Sequence, residues 1–171
     1  MTPTTPTPPI EPGKKAPAFS LKDQLGTTHK LADYAGTPVV LFFYPKDMTS
    51  GCTDEACQFR DLSKDFAKAG AAVLGISILD EKSKKKFADT HSLGFPLLAD
   101  KATDEHGKPA PKIARKYGVW IEKSMYGKKY MGINRTTYLI GPDGKVARRW
   151  DKVKVPGHAQ KVLDAISELG L

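Results

Sequence analysis

The sequence predicts an α/β protein, with a mixed central β-sheet flanked by helices. Three observations carry that reading. The run Val39-Val40-Leu41-Phe42-Phe43-Tyr44 is apolar throughout and rich in β-branched and aromatic residues, as in a strand covered on both faces. Beyond Pro45 the apolar period changes: Ala56, Phe59, Leu62, Phe66 and Ala69 recur at three- and four-residue spacing and stop at Gly70, as in an amphipathic helix. Strand-like and helix-like stretches then alternate as far as Phe95-Pro96-Leu97-Leu98, which gives a β-α-β-α-β order.

The elements follow in order. Residues 1–11 read as a flexible Thr/Pro-rich tail, and residues 12–171 as one domain. Residues 18–21 and 27–31 form a short hairpin that turns at Gly26. Residues 39–44 are the first buried strand, and the helix after it runs from about Thr53. A second buried strand covers 73–79, a helix covers 81–91, and a short strand covers 95–98. The polar segment 100–111, with Gly107, Pro109 and Pro111, is a loop leading into a short helix over 113–117. Residues 136–140 and 145–150 form a hairpin turning on Asp143-Gly144. The last helix, 157–169, presents Ala159, Val162, Leu163, Ile166 and Leu169 along one face. Together these elements make a thioredoxin-like plan. No internal repeat is present.

Composition narrows the function classes. The chain has 171 residues, 40% of them hydrophobic, which suffices for a single core without metal or disulfide staples. Its longest apolar run is strand-sized and too short to cross a bilayer, so no membrane partner is expected. The net charge is +8, but Lys and Arg are spread along the chain. The clusters Lys84-Lys85-Lys86 and Lys128-Lys129 read as solvated faces, with no aromatic-interleaved basic motif and no zinc-finger spacing, so no nucleic acid is expected either. The start has neither a secretory apolar region nor an Arg-rich transit character, and the cytoplasm is the expected compartment. His29, His91, His106 and His158 lack ligand spacing and read as surface residues, so neither a metal nor an organic cofactor is expected.

Only two cysteines are present, five positions apart, which points to redox or catalytic use in a reducing compartment. Cys52 falls in the first turn of the helix after the central strand. Unpaired backbone N–H groups there favour negative charge, so this thiol should ionise more easily than a free cysteine. Cys57 lies on the same helix. Residues so spaced have Cα atoms roughly 8–9 Å apart, beyond the roughly 7 Å that a disulfide tolerates. If the two pair, the helix must unwind locally.

The stretch from Tyr44 to Cys57 resembles the peroxiredoxins, and within them the peroxiredoxin Q or bacterioferritin comigratory protein group. Pro45, Thr49 and Cys52 match its Pro-x-x-x-Thr/Ser-x-x-Cys pattern, and Cys57 matches a second cysteine found in many members. The run Gly132-Ile133-Asn134-Arg135-Thr136-Thr137-Tyr138 places Arg135 at the group's active-site arginine, and Val153-Lys154-Val155-Pro156-Gly157-His158-Ala159 matches before the last helix. The likeness covers residues 12–171; it departs in the Thr/Pro tail, in Ser50 where many relatives have proline, and in a longer loop between Asp100 and Ile113.

The resemblance implies a monomeric thiol peroxidase acting on hydrogen peroxide and organic hydroperoxides. Cys52 would attack peroxide and Cys57 would resolve the sulfenic acid as an intramolecular disulfide. Arg135 and Thr49 would assist charge and substrate, and Pro45 would shield the site. Thioredoxin or a similar dithiol protein would be the reductant. Glu55, one turn after Cys52, fits two roles equally at this level: orienting Arg135, or a solvated carboxylate favouring the helix dipole. Two rival readings stand beside the peroxidase. A thioredoxin-type protein disulfide reductase uses Cys-x-x-Cys, whereas this chain has Cys-x-x-x-x-Cys. A basic chaperone or nucleic-acid module would bind in a salt-dependent way without turnover.

Overall fold

A computed structural model describes residues 7–171. The chain runs β1 (Ser20–Lys22), β2 (Thr28–Lys30), a 3-10 turn (Leu31–Tyr34), β3 (Val39–Phe43), α1 (Ser50–Asp61), α2 (Ser63–Lys68), β4 (Ala72–Ser77), α3 (Glu81–His91) and β5 (Leu97–Ala99). It continues with α4 (Lys112–Lys116), β6 (Trp120–Met125), β7 (Lys128–Ile133), β8 (Thr136–Ile140), β9 (Val146–Trp150) and α5 (His158–Glu168). The central sheet has the order β5-β4-β3-β8-β9. β4 is parallel to both β3 and β5, while β8 is antiparallel to both β3 and β9. No described helix is long and apolar enough to cross a membrane.

β3 sits at the centre because both of its faces are needed. Val40, Phe42 and Tyr44 join the core beneath α1, α2, α3 and α5, where Phe42 stacks on Phe59 at 4.6 Å. Val39, Leu41 and Phe43 join the opposite core with Tyr117 and Tyr138. Two-residue alternation within one apolar strand therefore glues both layers to the sheet.

Several elements depart from expectation. The helix after β3 starts earlier, at Ser50, and breaks at Leu62 (φ −98°, ψ 10°), so it is two helices. β5 starts only at Leu97; Pro96 has no N–H to give, although its carbonyl accepts from Gly75. The β6–β7 hairpin was not legible in the sequence, because most of its residues are polar or exposed on both faces. It turns at Tyr126-Gly127, both at positive φ (52° and 79°), the backbone that a two-residue hairpin turn demands. The buried stripe of α5 is His158, Ala159, Val162, Ala165 and Ile166; Leu169, expected on it, lies past the helix end and is 39% exposed.

Two charged or polar residues expected at the surface are buried. Lys84, the first of the lysine triplet, is fully enclosed while Lys85 and Lys86 are solvated. His158 is only 3% exposed and bonds Thr137 Oγ1 at 2.7 Å, with the rings of Phe59 and Trp150 edge-on to it. His29 is also largely enclosed, bonded to Asp23 and Tyr34 at 2.7 Å each. His91 and His106 keep more exposed positions.

Residues 1–6, most of the expected tail, lie outside the described residues. Ile10, in its remainder, is held at both backbone groups: its N–H donates to Tyr138 Oη (3.0 Å) and its carbonyl accepts from Arg149 Nη1 (2.8 Å). Gly118 admits this strap, since a Cβ there would meet the Pro8 and Pro9 backbone at 2.4 Å.

His158 makes an acid-sensitive contribution to stability. Burial, with smaller contributions from the positive Lys161 and Arg135, pulls its pKa from 6.5 down to about 4. Between those values the unfolded chain binds a proton that the folded one refuses, so the His158 contribution is full above pH 6.5 and is lost as pH falls towards 4. That loss should reach ~3 kcal/mol. Glu55, whose pKa burial raises to about 7, works in the opposite sense over the same window, so His158 is isolated by comparison with its variant. Urea unfolding should find the parent more stable than His158→Gln near neutrality, with the difference narrowing as pH falls through this window.

Candidate active site

The site forms where β3 ends and α1 begins. Tyr44 continues the strand by donating its N–H to the Ile76 carbonyl at 3.1 Å. Pro45, half-buried, cannot donate and turns the chain out of the sheet. Asp47 points inward and is 5% exposed, and Met48 takes a left-handed conformation at φ 68°. Thr49 is the N-cap of α1 in an extended conformation, and its carbonyl accepts the first helical bond from Thr53 at 2.8 Å. Cys52 thus lies in the first turn of α1, as expected, and is 1% exposed.

Arg135 arrives from the other side of β3. Phe43 pairs with Thr136, so the residue just before β8 stands beside the end of β3 and the start of α1. Its Nη2 donates to Cys52 Sγ at 3.3 Å, and its Nη1 binds Glu55 Oε1 at 2.7 Å. Gly51 permits this approach: a Cβ there would lie 3.2 Å from Nη2. The structure therefore resolves the alternatives for Glu55. It is 1% exposed and tied to Arg135, not solvated. Its Oε2 is the one buried side-chain polar atom among the described residues without a hydrogen-bond partner. Burial raises the Glu55 pKa to about 7 against the opposing pull of Arg135. Cys52 and Glu55 share one cation.

The other expected residues stand further back. The Thr49 hydroxyl donates to the Lys46 carbonyl at 2.9 Å and so closes the loop on itself. Cys57 is half-buried, farther along α1, and both thiols are free. Sequence reasoning missed Asp47, Tyr44, Ser77, Ser83 and Lys84, which form a buried polar cluster under the loop. Its one visible signal was a carboxylate set between Pro45 and Thr49. Lys123 of β6 was missed as well; burial, and secondarily the charge of Arg135, lower its pKa. No cluster of three or more His, Cys, Asp or Glu side chains suited to a metal occurs among the described residues. An apolar cavity of about 280 Å³, between Tyr34, Val39 and Pro142, opens at the opposite end of β3.

Chemically, a buried sulfur at a helix start with one guanidinium N–H aimed at it is set up as a nucleophile. That N–H is also placed to meet negative charge forming on an atom bonded to the sulfur. A thioredoxin-like sheet carrying such a thiol defines the class: a thiol-based oxidoreductase of the peroxiredoxin type. The chain matches the AhpC/TSA family over residues 12–149 and belongs to it. It is 45% identical over 160 residues to peroxiredoxin Bcp of Bacillus subtilis, covering 94% of this chain and 97% of that one. It is 41% identical to peroxiredoxin Bcp of Escherichia coli over the same shares. Among solved structures, peroxiredoxin Q of Xanthomonas campestris superposes with a TM-score of 0.79 at 42% identity, covering 88% of this chain and 90% of that one. The bacterioferritin comigratory protein of the same organism, studied for alkyl peroxide reduction, superposes with a TM-score of 0.83 at 39% identity, covering 94% of this chain and all of that one.

If Arg135 steadies the Cys52 sulfur, Arg135→Ala should slow its alkylation by iodoacetamide at neutral pH by about tenfold or more. Measuring the rate in a Cys57→Ser background isolates Cys52. A parent-like rate would place Arg135 outside the thiol's electrostatic control.

Proposed function

We propose that this chain is a thiol peroxidase in which Cys52 is the nucleophile and Cys57 the resolving thiol. The observation that supports this reading most strongly is Arg135 Nη2 on the buried Cys52 sulfur, 3.3 Å away at a helix start. Cys52 thiolate attacks the terminal oxygen of a hydroperoxide; the O–O bond breaks, an S–O bond forms, and the leaving alkoxide or hydroxide takes up a proton as alcohol or water. Arg135 steadies the thiolate before attack and the departing oxygen during it. The Thr49 hydroxyl, with its proton engaged by Lys46, keeps its lone pairs for the peroxide O–H. Pro45, half-buried at the strand end, limits water around the sulfur.

The sulfenic acid at Cys52 then condenses with the Cys57 thiol, forming the S–S bond and releasing water. The two thiols are five residues apart on α1, so the first turns of that helix must unwind for the bond to close. A dithiol protein, thioredoxin or one like it, returns both thiols by exchange and leaves as the disulfide. Two free cysteines with no structural disulfide fit a reducing compartment such as the cytoplasm, and resolution within one chain fits a monomer.

Cys52→Ser should fold normally and consume no peroxide, since a serine hydroxyl is not ionised near neutral pH. Cys57→Ser should consume about one equivalent per chain and then stall with a thioredoxin system, holding a sulfenic acid that excess peroxide converts to sulfinic acid. Intact-mass analysis after titration with peroxide reads both outcomes. Sustained turnover in the Cys52→Ser protein removes the assignment, and a coupled assay with and without peroxide separates this activity from plain disulfide reduction.

A further inference from the structure

The cluster around Lys84 buries a lysine, an aspartate, a tyrosine and a serine together, and the peroxide chemistry makes no direct use of it. Lys84 Nζ lies 3.3 Å from Asp47 Oδ2 and 3.4 Å from Oδ1, and donates to Ser77 Oγ at 2.7 Å. Both side chains of the ion pair are fully enclosed. Asp47 also accepts from Tyr44 Oη at 2.5 Å, from Ser83 Oγ at 2.7 Å and, more weakly, from Ser77 Oγ at 3.5 Å. The ammonium stands 5.4 Å from the centre of the Tyr44 ring. Ser77 ends β4, while Ser83 and Lys84 lie in the first turn of α3, itself capped by Asp80 on the Ser83 N–H. Of the four groups on the carboxylate, three, Ser77, Ser83 and Lys84, therefore come from β4 and α3, outside the loop.

Burying such a pair costs desolvation of both ions, so it adds little to stability but fixes position. What it fixes is the loop that carries the nucleophile. Asp47 stands two residues before the N-cap Thr49, and between them Met48 is held at φ 68°, a conformation that costs a non-glycine residue energy unless its neighbours impose it. Arg135 is anchored independently through β8. The distance from Cys52 Sγ to the guanidinium thus depends on where Asp47 is pinned.

We infer that Lys84 is a positioning residue for Cys52: through Asp47 it clamps the loop before α1 to the β4–α3 junction. The clamp holds the thiol against Arg135 and sets the N-terminal limit of the segment that unwinds for Cys57. The inference rests on the peroxidase reading of Cys52 and Cys57. It assigns to α3 the balance between the wound form, which reacts with peroxide, and the unwound form, which makes the disulfide.

Lys84→Met removes the charge and keeps the length; the double variant Asp47→Asn/Lys84→Met also removes the carboxylate that the single change leaves unpaired, and serves if the single variant does not fold. In either, the rate constant for Cys52 oxidation by hydrogen peroxide should fall on the order of tenfold or more. Under excess peroxide, the share of chains reaching sulfinic acid instead of disulfide should fall as well, because a loosened loop brings the sulfenic acid to Cys57 sooner. A purely structural Lys84 lowers the melting temperature and leaves that partition at the parent value. Parent-like rate and partition in the variant that folds overturn the inference while Cys52 of the parent still consumes peroxide. A parent whose Cys52 does not react removes the site reading and the inference together.

Discussion

The guanidinium of Arg135 is the contact on which the site depends, because among the described residues it is the one cation bonded to both the thiol and the buried Glu55 carboxylate. It brings β8 to α1 across the end of β3, with Nη2 on Cys52 Sγ and Nη1 on Glu55 Oε1. Antiparallel pairing of β8 with β3 puts Arg135 level with the strand end, and the immediate start of α1 at Ser50 returns Cys52 to the same level. The start at Ser50, earlier than the apolar period alone implies, sets Cys52 inside the first turn.

Two buried ion pairs flank the segment between β3 and α1. Arg135–Glu55 lies on the helix side and Lys84–Asp47 beneath the loop. Each takes charges out of water at a cost of several kcal/mol per ion, which attraction within the pair roughly offsets. Their combined effect is geometric. One positions the cation at the sulfur, and the other positions the backbone that delivers the sulfur. Glu55, with its pKa raised to about 7 and one oxygen unpartnered, balances the Arg135 charge without fully neutralising it, so the cation retains pull on the thiolate.

Where periodicity was strong, the sequence was a good guide. β3 and α3 appear with nearly the expected bounds, since unbroken apolar character and a helical stripe each have few alternatives. Of the candidate site residues, Cys52 alone carried a signal of its own, as a thiol at a helix start; Pro45, Thr49 and Arg135 were legible only through the resemblance to the peroxiredoxins. Burial of isolated polar residues was not legible. Lys84 sits in a lysine triplet whose other members are solvated, and only the tertiary contact between α3 and the Asp47 loop encloses it. His158 was hidden likewise, by packing against Phe59 and Trp150. The β6–β7 hairpin escaped because its strands cover no core over most of their length and so carry no alternation to read.

In the proposed mechanism α1 carries a reactive thiol in its wound form and a disulfide only when its start is unwound. Hydrogen exchange with mass spectrometry, comparing the reduced protein with the protein after one equivalent of peroxide, distinguishes the two forms. Unwinding predicts a monomer lighter by two hydrogens, with protection lost over residues 49–59 and retained in β3 and β8. A Cys52–Cys57 bond formed with protection of that segment unchanged, or a disulfide between two chains, would contradict it.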